Sequence, residues 1–86
     1  QLDQIKRVRA ALRAGDPRHA LELIDAYRAR GDGDELAAEA GLLRIEALAM
    51  SGQAAAAAAA ARQFARDYPN SPLIDRALGY AGATQR

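Results

Sequence analysis

His19 is the single histidine of the 86-residue chain, and there is no cysteine. It follows Asp16 by three residues, a spacing that suits a helix cap and a nearby amide better than two ligands on one metal. The absence of cysteine removes thiolate zinc sites and disulfides. Ser51 and Ser71 have no base placed to activate them; both sit at breaks between helix-forming segments and read as caps. Gly31-Asp32-Gly33-Asp34 has the glycines of a phosphate loop and the aspartates of a calcium loop. It lacks the lysine and hydroxyl residue of the first and the distal glutamate of the second, so it reads as a linker. Glu39 and Glu46 stand seven residues apart on one helix face, as an acid–base pair could. With no enclosing pocket implied, they read as ion-pairing surface residues. The chain is expected to be non-enzymatic, with no cofactor and no metal.

Composition narrows the partner. Twelve basic residues against eleven acidic ones leave a net charge of +1, without the basic footprint of a nucleic-acid binder. The longest apolar run is the eight alanines Ala54 to Ala61, too short and too weakly apolar to cross a bilayer. No direct membrane insertion is expected of this segment, and no secretory signal is visible. The chain opens on Gln1, which suggests a fragment of a longer protein. The preponderance of arginine over lysine and the abundant alanine resemble the usage of a high-GC bacterial genome.

Breakers at Gly15-Asp16-Pro17, Gly31 to Asp34, Ser51-Gly52 and Pro69 to Pro72 separate segments rich in Ala, Leu, Arg and Glu, so five helices are expected. The first runs from Leu2 to Ala14 with a stripe of Leu2, Ile5, Val8 and Leu12. The second starts at Asp16 as N-cap with Pro17 next, buries Ala20, Leu21, Leu23, Ile24 and Tyr27, and stops at Gly31. The third begins near Asp34 and carries Leu36, Leu42, Leu43, Ile45 and Leu48. The fourth is the alanine run continued through Phe64 to Tyr68. The fifth begins at Ser71 and carries Leu73, Ile74, Ala77 and Leu78.

The two halves repeat at an offset of 37 residues, the distance from Gly15 to Gly52. That offset takes Ile5 to Leu42, Val8 to Ile45, Ala20 to Ala57 and Tyr27 to Phe64. Turn glycine, small residue five positions on (Ala20, Ala57), aromatic seven further (Tyr27, Phe64) and closing Pro69 together resemble the tetratricopeptide repeat. The departures are a first repeat ending on Gly31-Asp32-Gly33, no aromatic early in the first helix, and a period longer than the family's roughly 34 residues. The stretch "FARDYPNSPL" is also similar to repeats of bacterial envelope proteins.

The resemblance implies one all-α domain over 1–86. Repeat one covers about 2–31, repeat two about 34–69 and a capping helix about 71–82. The two antiparallel hairpins and the fifth helix would form a short right-handed solenoid. Alignment of the halves places Ala57, Ala58, Ala60 and Ala61 in packed positions and Ala55, Ala56 and Ala59 towards solvent. The family's inner groove is lined by the first helix of each repeat. Carried over by position, it would comprise Ile5, Arg9, Leu12 and Arg13 from one helix and Glu39, Leu42, Glu46 and Met50 from the other. It would be basic at one end and acidic at the other, unless Arg13 and Glu46 simply pair across it. The expected function is a protein–protein interaction module for a peptide or protein segment. The alternative is a self-assembly or spacer domain, with a homodimer through Leu73, Ile74, Leu78 and Tyr80. The likeness to envelope repeats favours the periplasm, with the cytoplasm as the other possibility.

Overall fold

The computed structural model describes residues 2–30 and 36–83. The described residues form α1 (Leu2–Arg13), α2 (Pro17–Arg30), α3 (Ala37–Met50), α4 (Ala54–Asp67) and α5 (Ile74–Ala83), with no strand among them. The fold is all-α. The expected stop at Gly31 and the acidic start at Asp34 and Glu35 lie outside the described residues.

Both hairpins turn by the same device. Gly15 and Gly52 take positive φ, 77° and 82°, a region that costs a side chain but not glycine. The Gly15 N–H donates to the Leu12 carbonyl and the Asp16 N–H to Ala11, closing α1. At the 37-residue offset, Gly52 donates to Ala49 and Gln53 to Leu48, closing α3. These are paired Schellman bonds, which satisfy carbonyls a helix end leaves open. Beyond the first turn, Asp16 Oδ1 accepts the His19 N–H at 3.2 Å and Pro17 opens α2, as expected of that cap. Ser71 acts differently from expectation. Its Oγ accepts the Leu73 N–H at 3.1 Å, and α5 begins only at Ile74. Pro72 has no N–H and disfavours helical backbone at the residue before it, so the serine stabilises a turn one step ahead of the helix.

Consecutive helices pack against each other, and α3 also contacts α1 and α5. The odd helices therefore form one layer of three and the even helices a second layer of two. The molecule is 18 Å thin in its shortest dimension, as two layers of helices require. The backbones of α2 and α4 stay apart, and Leu21 of α2 borders the apolar clusters of both hairpins.

The central helix has two apolar faces. Leu36, Ala40, Leu43 and Ala47 join Ile5, Val8, Ala11, Ala20, Ile24 and Tyr27 in one cluster. Ala38, Leu42, Ile45 and Ala49, shifted by two positions and so about 200° around the helix, join Ala57, Ala61, Phe64, Ala77 and Ala81 in the other. The outer helices have one such face each. On α1, the positions equivalent to Ala40, Leu43 and Ala47 are Asp3, Lys6 and Ala10, all exposed. At the entry to α5 and along it, Leu73, Ala77 and Tyr80 continue the face of Leu36, Ala40 and Leu43 at the same offset, but the second stripe becomes Asp75, Gly79 and Gly82. Within α1 the stripe runs through Ala11, which is buried, while Leu12 is only partly covered.

The alanine run is packed as its alignment with α2 required. Ala57, Ala58 and Ala61 are buried and Ala60 half-buried, whereas Ala54, Ala55, Ala56 and Ala59 are exposed. Small side chains let α4 lie close to its neighbours, with methyl and backbone contact replacing large anchors. At Gly41 the approach is closest to its limit: a Cβ there would come within 3.3 Å of Phe64 Cδ2. Phe64 itself packs against Tyr68 one turn later, the rings tilted 49° with centroids 5.0 Å apart. The Tyr27 and Phe64 rings are both buried, as their aligned positions led one to expect; the Tyr27 hydroxyl finds no hydrogen-bond partner among the described residues.

Two substitution pairs test this packing by urea denaturation. Ala57→Leu is expected to cost ~1–3 kcal/mol by overfilling the α3–α4 contact, while Ala56→Leu stays within ~0.5 kcal/mol. Equal effects would contradict the close approach. Gly52→Ala should cost ~1–2 kcal/mol because of its left-handed backbone. Gly79→Ala, in a helix with open space where the Cβ would go, should instead stabilise by about 0.4–1 kcal/mol.

Candidate functional site

A groove of about 480 Å³ opens on the layer of odd helices. Its lining comes from α1 (Arg9, Leu12, Arg13), from α3 (Glu39, Leu42, Leu43, Glu46) and from the entry to α5 (Leu73, Arg76). Each helix contributes for a local reason. Leu42 and Leu43 are core residues whose outer edges form the bottom. Leu12 and Leu73 are half-buried and extend that apolar surface upward on either side. Arginines and glutamates occupy the next positions around each helix, where side chains reach solvent over an apolar base.

The charges are arranged around α3. Arg9 Nη2 of α1 pairs with Glu39 Oε2, and Arg76 Nη2 of α5 pairs with Glu46 Oε2 at 2.7 Å. The second pair is the first moved by the 37-residue offset, since Arg9 maps to Glu46 and Glu39 to Arg76. The helix junction is therefore used twice, with the signs exchanged. Both carboxylates stand on the central helix with an arginine on either side. This differs from a groove basic at one end and acidic at the other, and equally from the alternative in which Arg13 pairs with Glu46. Arg76 outcompetes Arg13 for Glu46 because α5 lies directly against that face of α3. Among the described residues no carboxylate is within ion-pair distance of Arg13. Its place in the last turn of α1 suits a cation, given the partial negative charge of a helix C-terminus.

Tyr80, one turn after Arg76, completes the α3–α5 contact. Burial raises its pKa above the ordinary 10.0, the Glu46 charge and a hydrogen bond to that carboxylate raise it further, and Arg76 opposes them. Glu46 thus pairs with a guanidinium and has the Tyr80 phenol close enough to feel its charge.

Six residues expected in the groove line it: Arg9, Leu12, Arg13, Glu39, Leu42 and Glu46. Ile5 does not, because α2 and α3 close over it and leave it wholly buried. Met50 is exposed at the end of α3, outside the lining. Leu43, Leu73 and Arg76 were not anticipated. The signal for the last two was present: the offset that relates α1 to α3 takes Leu36 to Leu73 and Glu39 to Arg76, so α5 is a third first helix. Of the residues expected to make a dimer surface, Leu73, Ile74 and Tyr80 pack on the second cluster, and Leu78 alone is substantially exposed. His19 is exposed, with Nδ1 3.6 Å from Glu22 Oε1. No group of ligating side chains that could hold a metal occurs among the described residues, nor is any described helix long and apolar enough to cross a membrane.

Fold and groove together define an all-helical protein of stacked hairpins with an open, mixed-polarity surface on one layer. Compared with protein-family models, curated proteins and solved structures, the chain matches none.

The Tyr80 contact has a measurable pH signature. The folded state holds the Tyr80 proton more tightly than the unfolded chain does. The associated stability is complete below about pH 10 and is lost as pH rises through the higher folded value. Melting temperatures from pH 9 to pH 11.5 should fall more steeply for the wild type than for Tyr80→Phe. Parallel curves would remove Tyr80 from the account.

Proposed function

We propose that the chain is a non-catalytic binding module of tetratricopeptide-like hairpins that takes a peptide segment of another protein along the α1–α3–α5 groove. The observation that carries this reading is the groove itself. Three successive first helices line it, its volume is of the size that binding clefts have, and an apolar base lies beneath polar edges. Apolar anchors supply holding energy, and the arginines and glutamates orient the ligand. Glu39 and Glu46 at the middle of the groove disfavour nucleic acid, whose phosphates would meet both. The end faces speak against stacking into an assembly. Among the described residues, Asp3 and Lys6 occupy one, and Asp75 and Gly79 with the single exposed Leu78 the other, so neither has a continuous apolar stripe for a further helix.

The cysteine-free sequence allows a direct test. Peptides are selected from a displayed random library on the wild-type protein. Arg13→Cys, at the groove, and Gln63→Cys, on the exposed side of α4, are each measured before and after coupling to a bulky maleimide. Coupling at position 13 should weaken the selected peptides about tenfold, a loss of about 1.4 kcal/mol, and coupling at position 63 should not. Peptides indifferent to the group at position 13 would place binding elsewhere.

A further inference from the structure

The groove's ionic groups are not equally available. Glu39 is engaged by Arg9, and Glu46 by Arg76. A lysine or arginine brought in by a ligand would find each carboxylate already neutralised by an intrachain guanidinium and would be repelled by that guanidinium. The cationic side is different. Three arginines face two glutamates, and the third, Arg13, is exposed without a carboxylate among the described residues. A guanidinium has five N–H donors, and one oxygen of a glutamate uses few of them, so Arg9 and Arg76 retain donors as well. The surface seen by an incoming chain is therefore donor-rich, over Leu12 on one side and Leu73 on the other.

We infer that the segment bound in this groove carries an aspartate or glutamate side chain between apolar residues, with its carboxylate on Arg13 and the apolar side chains over Leu12 and Leu73. This rests on the groove being the peptide site. It specifies the ligand further, because the groove then selects for acidic side chains rather than for charge of both signs. An arginine donates two parallel hydrogen bonds to a carboxylate, in a forked geometry that an amide cannot match. Arg13 is solvent-exposed, so the gain is moderate and screened by salt.

The test uses an array of labelled dodecapeptides with both ends blocked. Each has two leucines at varied separation and, between them, one position that is glutamate, glutamine or lysine. Binding is read by fluorescence anisotropy. The glutamate peptides should bind about fivefold more tightly than their glutamine counterparts, with lysine weakest, and the preference should shrink in 1 M salt. Arg13→Gln should abolish the preference while still melting as a folded, cooperative domain, and Arg13→Lys should keep part of it. Arg7→Gln, which makes the same change in net charge at an exposed residue outside the groove lining, should leave it intact. A glutamine peptide with a free terminal carboxylate should gain nothing over its blocked form. If peptides bind but glutamate and glutamine are equal, or the preference survives Arg13→Gln, the acidic ligand is wrong and the groove reading stands. If tighter binding follows the free terminus instead, the side-chain assignment is wrong. If no peptide in the array binds, the groove reading fails and this inference with it.

Discussion

Every other element depends on α3 being able to bury two opposite faces at once. A helix with a single apolar stripe can close one cluster and then faces water. α3 has a stripe through Leu36, Ala40, Leu43 and Ala47 for the first hairpin and another through Ala38, Leu42, Ile45 and Ala49 for its own partner and α5. The largest fully buried side chains are Ile5, Val8 and Ile24 on one side and Ile45 on the other. Each contributes about 1.5–3 kcal/mol by leaving water. In a domain this small, neither cluster is large enough to hold its hairpin alone, and the shared helix couples them.

The rest of the architecture follows from where that double face stops. α1 keeps the stripe that points towards α2 and α3, and Asp3 and Lys6 stand where the other would be. α5 keeps the stripe that points back to α3 and α4, and Asp75, Gly79 and Gly82 replace the second. The 37-residue register thus continues into α5 while the apolar pattern ends there. The same register explains the paired ions. Arg9 with Glu39 and Glu46 with Arg76 occupy one geometry used twice. Exposed pairs of this kind add little stability. Their exchanged signs, though, put both acids on α3 and give each outer helix a cation that fits only against the middle one.

The alanine run and the groove are connected through packing. With methyl groups at Ala57, Ala58 and Ala61, α4 occupies little depth beneath α3, and the aromatic volume is concentrated at Phe64, where Gly41 gives it room. Large side chains of α3 are then free to divide between core and groove. Leu42 and Leu43 serve both, buried on their inner sides and forming the base of the cleft on their outer edges.

Local chemistry determined much of this fold. Gly15 and Gly52 have to end helices because only glycine takes their backbone freely. Asp16-Pro17 has to start one, and alanine, leucine and arginine make the intervening segments helical. The 37-residue offset identified the buried alanines and aromatics, and six of the groove's lining residues. It did not decide three things. Ile5 and Leu42 are equivalent in register, yet Ile5 is sealed because α2 and α3 cover it from both sides, while Leu42 borders open space. Arg13 and Arg76 both have the reach for a glutamate, and it is the docking of α5 on α3 that gives Glu46 to Arg76. Leu73 belongs by pattern to the stripe of the fifth helix and could equally serve a surface between copies; the turn at Ser71 and Pro72 sets it against the second cluster. Periodicity states which side chains share a face. Which face is covered, and by what, depends on contacts between different helices, and only the packed helices settle those.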